Sequence, residues 1–176
     1  MVNRHRLLRP LLLVLAALSC TQLTMARGSH KFPLTDFENR QCRGKGRMQD
    51  SKDPVARQVL AGGKGSVPVL ISQLTETGRT KEPVEDFWDY TSTGDIAFMM
   101  LNDLFTDKEG KAIAIRGFPT WATVMTGCSG SAETCWRLFV HKHGILSIQR
   151  AWQNAWDSNQ SHVSWDSRAQ CFRLGN

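Results

Sequence analysis

The chain has 176 residues, 41% of them hydrophobic, with 22 Lys+Arg against 16 Asp+Glu and a formal net charge of +6. That length suffices for one domain with a buried core, and no low-complexity stretch points to disorder. The positive excess is not gathered into the clustered basic face that nucleic-acid binding requires.

Part of that excess lies at the start. Residues 1–26 place Arg4, Arg6 and Arg9 before an apolar run from Leu11 to Leu18, with no acid before Asp36. The run is shorter than the ~20 apolar residues that span a bilayer. The pattern predicts a secretory signal peptide, and therefore an exported protein. Thr24-Met25-Ala26 offers small residues for cleavage before Arg27. Ala17-Leu18-Ser19-Cys20 resembles a lipobox, which makes Cys20 a candidate lipidation site and the protein lipid-anchored. Ordinary cleavage fits better. Losing the signal removes three arginines and no acid, lowering the net charge from +6 to +3. No transmembrane span is expected in the remaining chain.

Residues 27–48 read as a loosely packed arm with a short helix around Asp36 to Cys42. Arg40, Arg43, Lys45 and Arg47 read as a solvated loop. Residues 49–176 read as a single helical domain. Asp53 is an N-cap and Pro54 a first helical residue, with a stop at Gly62-Gly63. Ser66 is expected to cap a second helix with Val67, Leu70, Ile71 and Leu74 on one face. Ser92 and Asp95 form a capping box. The helix that follows, Ile96 to Phe105, is apolar on nearly every side, as a buried central helix is. Pro119 opens a short helix through Trp121, Val124 and Met125. Ser131 caps another, with an inner stripe of Ala132, Cys135, Trp136, Phe139 and Val140 that ends at Gly144. Ile145, Ile148, Trp152, Ala155 and Trp156 make the last helix. A link of one residue between these two predicts an αα-hairpin. The predicted fold is all-α: a compact bundle of about six helices, stapled by disulfides.

Five cysteines occur, Cys20, Cys42, Cys128, Cys135 and Cys171. If Cys20 leaves or is acylated, the four that remain imply a disulfide framework in an exported chain. Cys128 and Cys135 enclose six residues, so a bridge between them closes at small entropic cost. Cys42 would then pair with Cys171, a long loop worth about 4–5 kcal/mol in the chain-entropy model. A zinc site from Cys128, Cys135, His141 and His143 has the wrong spacing. His141 and His143 also point about 200° apart on a helix. A redox centre would favour C-x-x-C. Neither a metal nor another cofactor is expected.

Asp53 to Leu74, DPVARQVLAGGKGSVPVLISQL, is similar to one HEAT repeat, and GDIAFMMLNDLF to a helix of a following unit. The resemblance implies HEAT-like helical hairpins. Val67 to Leu174 also resembles small exported bacterial proteins of unassigned function, with a GDIA-type helix and a Trp-rich C-terminal hairpin.

Two functions are weighed. The first is an exported, non-catalytic interaction or structural module, its partner another exported protein or a cell-envelope component. The sequence holds no G-x-S-x-G, H-E-x-x-H or phosphate loop. Trp152 and Trp156 share a helix face that is either core or a ligand surface. The alternative is a cell-wall glycosidase of lysozyme-like character, drawing its acids from Glu85, Asp86, Asp89, Asp95 and Glu133.

Overall fold

Six α-helices and one β-hairpin follow each other along the described part of the chain. The computed structural model describes residues 30–37, 47–81, 91–107, 111–113 and 115–174. The helices are α1 (Pro54–Gly62), α2 (Ser66–Gln73), α3 (Thr93–Leu104), α4 (Trp121–Met125), α5 (Ala132–His143) and α6 (Ile145–Asn159). The strands are β1 (Val163–Asp166) and β2 (Cys171–Leu174). None of the helices is long and apolar enough to cross a membrane.

Local chemistry sets most of the helix starts. The Asp53 carboxylate accepts the Val55 and Ala56 N–H groups at 2.7 and 3.2 Å. Ser92 and Asp95 close the reciprocal box that starts α3. Ser131 accepts the Thr134 N–H at 3.2 Å. These contacts satisfy amides that a helix cannot satisfy internally. Ser66 differs from expectation. It is the first residue of α2, and its hydroxyl donates to the Val59 carbonyl at 2.6 Å, joining α2 to α1.

Helix α3 is the centre of the domain. Ile96, Ala97, Phe98, Met100, Leu101 and Leu104 are all buried. Its start lies so close to the preceding chain that a Cβ on Gly94 would sit 2.4 Å from the Leu74 carbonyl oxygen. Only glycine fits there. Phe98 and Phe105 are seven residues apart, two turns along one face. Each anchors an aromatic cluster. Phe98 stacks on Trp136 with ring centroids 3.8 Å apart and meets Trp121 edge-on at 5.0 Å. Phe105 gathers Phe118, Trp152, Trp156 and Phe172. Helix α2 packs on α3 and α6, and Gln149 of α6 donates to the Ile71 carbonyl near the end of α2 at 2.8 Å.

The fold is mainly helical but not all-α. Residues Val163–Asp166 pair antiparallel with Cys171–Leu174, Val163 opposite Leu174 and Asp166 opposite Cys171. The Asp166 carboxylate accepts the Arg168 and Ala169 N–H groups, both at 2.9 Å, and shapes the turn. Gln170 takes a left-handed conformation, with φ of 52°. Four-residue strands carry too little alternation to be recognised. The hairpin is held because it brings Val163 and Phe172 into the core.

The described parts of the arm, residues 30–37 and 47–48, pack on the domain. Leu34, Phe37 and Met48 are core residues. Gln73 clasps Phe32 from both sides, accepting its N–H at 3.1 Å and donating to its carbonyl at 2.9 Å. Lys31 pairs with Glu76, and Lys81 with Asp36 at 2.7 Å. Arg47 is not a solvated loop cation: its Nη1 donates to the Asp107 carbonyl at 2.6 Å. Arg40, Arg43 and Lys45 lie outside the described residues, as does most of the expected Asp36–Cys42 helix; Leu34–Asp36 is a 3-10 turn.

Candidate functional site

A surface groove lies between α4 and α5 among the described residues. Helix α4 has only five residues and no side-chain cap of its own. Asn102, buried on α3, supplies one: its Oδ1 accepts the Trp121 N–H at 2.8 Å while its Nδ2 donates to the Phe98 carbonyl. Val124 anchors the other side of α4 in the core. Helix α5 is fixed by Trp136, which stacks on Phe98 and donates its indole N–H to Asp95 Oδ1 at 2.6 Å. Asp95 thus caps α3 and holds α5 with one carboxylate. The Cys128–Cys135 disulfide joins the segment after α4 to the first turn and a half of α5, with Cα atoms 5.8 Å apart.

A groove of about 980 Å³ runs between these two helices, with the disulfide in its wall. Two i, i+4 ridges of α5 line it: Thr134, Leu138, Lys142 and Cys135, Phe139, His143. Each passes from a small residue through an apolar one to a nitrogen-bearing one. Leu138 is 56% exposed, and Met125 at the end of α4 is also exposed. No carboxylate lines the groove. The nearest acid on α5, Glu133, pairs with Arg137 at 2.8 Å.

The other expected site residues fall elsewhere. Trp152 and Trp156 are 0% and 4% exposed, so they are core and not a ligand surface. Their burial follows from α6 turning that face onto Phe105 and Phe118. Cys128 and Cys135 are bonded to each other, which leaves neither thiolate for a metal. Among the described residues no cluster of three or more His, Cys, Asp or Glu is placed to hold a metal ion. Cys20, Cys42, Glu85, Asp86 and Asp89 lie outside the described residues.

Cys171 carries a free, buried thiol, and its expected partner Cys42 lies outside the described residues. Burial pushes the thiol pKa up, and the neighbouring Asp166 carboxylate adds to the effect, so the reactive thiolate is suppressed. Iodoacetamide should leave Cys171 unmodified in the native protein and alkylate it in denaturant without reductant. Peptide mapping that recovered a Cys42–Cys171 disulfide would refute the free thiol.

Two features escaped the sequence reading. Leu138 stands off the inner stripe of α5, and that displacement was the available signal. Asp103 is an acid inside an apolar helix. Its Oδ2 accepts the Met48 N–H at 2.8 Å, and Gln49 Nε2 donates to its carbonyl at 2.7 Å. Burial pushes its carboxyl up to about 6, against the Met48 hydrogen bond and the Arg47 charge. It ties the 3-10 turn Met48–Asp50 onto α3, away from the groove.

Comparison with known proteins adds no relative: no family model, curated protein or solved structure matches this chain.

Proposed function

We propose that the chain is an exported, non-catalytic helical module that binds a partner through the groove between α4 and α5. The carrying observation is the groove itself: an open, carboxylate-free trough beside the largely exposed Leu138, in a wall made rigid by a disulfide. Scattered exposed apolar residues are ordinary, whereas apolar residues lining one concave surface mark interaction sites. Export is supported by the signal-like residues 1–26 and by the Cys128–Cys135 bridge, since disulfides persist in oxidising compartments. The partner is another exported protein or a cell-envelope component.

The glycosidase alternative gains no free acid pair from its described candidates. Asp95 is engaged by the α3 cap and Trp136, and Glu133 by Arg137.

Mass spectrometry of the protein recovered from an expressing bacterium tests the export reading. The expected product starts at Arg27, or at an acylated Cys20, with Cys128 and Cys135 oxidised. A product that retains residues 1–26 and carries reduced Cys128 and Cys135 would reject export. Release of reducing sugar from purified cell wall would reject the non-catalytic reading.

A further inference from the structure

The groove has a direction, and that direction restricts its occupant. Along α5 the lining changes from Thr134 and the disulfide, through Leu138 and Phe139, to Lys142 and His143. Eight residues separate Thr134 from Lys142, a distance of about 12 Å at 1.5 Å per residue. A matching partner is apolar along about 12 Å and acidic at one end. The Lys142 ammonium has no ion-pair or hydrogen-bond partner among the described residues. The His143 ring packs on Phe139, with centroids 4.5 Å apart, so the apolar and polar parts of the wall are continuous.

We propose that this groove receives a short amphipathic peptide helix of two to three turns, its apolar stripe on Leu138 and Phe139 and an acidic residue against Lys142. The inference rests on the groove being the binding face proposed above. Two adjacent i, i+4 ridges of α5, with α4 as the opposite wall, form the trough that a helix occupies through i, i+3, i+4 and i+7 side chains. An open trough suits a laid-in helix better than a small molecule, which is usually enclosed over most of its surface. The carboxylate-free wall sets the sign of the partner's charge.

Two synthetic fluorescein-labelled eleven-residue helical peptides test this against the oxidised protein. Both carry the same leucine stripe; one ends in glutamates and the other in lysines. The glutamate peptide should bind more tightly. Leu138→Glu should weaken it about tenfold or more, the effect expected for losing one apolar anchor. Lys142→Glu should weaken the glutamate peptide by about fivefold and strengthen the lysine peptide, because a rim charge contributes modestly and with a sign. Leu138 and Lys142 are both exposed, so the variants should melt like the parent. Equal binding of the two peptides, with Leu138→Glu still weakening both, would overturn the acidic partner and leave the groove as a binding face. Binding that Leu138→Glu does not change, or no binding of either peptide, would overturn the peptide proposal. Anionic phospholipid vesicles competing at Leu138 in preference to the peptide would overturn it in favour of a lipid surface.

Discussion

Trp152→Ala should destabilise the protein by about 3–5 kcal/mol, the usual cost of emptying a buried aromatic site. Trp152 is fully buried, its ring 4.9 Å from Phe118 and 5.9 Å from Phe105. Phe105 in turn holds Phe172 of the hairpin at 4.6 Å. The truncation therefore opens a void where α3, α6 and β2 meet, and the backbones around it cannot all move inward. Domains of this size are stable by about 5–15 kcal/mol, so the loss is a large fraction of the total. The melting temperature should fall by roughly 6–20 °C. Trp152→Phe should cost less. It keeps a ring against Phe118 and removes an indole N–H that is buried without a partner among the described residues, an arrangement that itself carries a penalty. Thermal melts of the two variants beside the parent measure this. An alanine variant melting like the parent would reject Trp152 as a core residue.

The second large effect is on pH dependence, through Asp103. Its carboxyl pKa is raised from 3.8 to about 6, chiefly by burial. The folded state therefore holds the proton more tightly than the unfolded chain. The stability this provides is complete below about pH 4 and is lost as pH rises through about 6. A shift of this size corresponds to at most about 3 kcal/mol. Asp103→Asn keeps an acceptor for the Met48 N–H but cannot ionise. Denaturation midpoints should fall between pH 4.5 and 7.5 in the parent and fall much less in the variant. Asp36 and Asp166 act with the opposite sign. Their pKa values are lowered, by Lys81 in one case and by the Ala169 N–H in the other, and their contributions disappear as pH falls below about 4. Because they lie outside the window tested, identical pH profiles for parent and variant would reject the raised carboxyl.

Much of the fold was legible because its determinants are local. Asp53-Pro54, the Ser92–Asp95 pair and Ser131 each start a helix through contacts within three residues. The Cys128–Cys135 bridge follows from a short loop that two cysteines can hardly avoid closing. Gly144, at φ of 76°, separates α5 from α6 where the apolar stripe changes phase. The all-round apolar character of Ile96 to Phe105 correctly marked the central helix, since only a helix surrounded by others hides every face.

The candidate site was not legible, because it is made by the relation between helices. Sequence placed Trp152 and Trp156 on one face but could not say what that face meets; Phe105 and Phe118 cover it. The apolar spacing of α5 named its inner stripe. Only the docking of Trp136 onto Phe98 and Asp95 decided which side of that stripe stayed open, and so left Leu138 exposed beside α4. The β-hairpin likewise depends on Val163 and Phe172 finding room in a core built by helices far away in sequence. Caps, periodicity and short loops are written within a few neighbouring residues. A groove and a buried carboxyl exist only once distant segments have excluded water from some faces and left it on others.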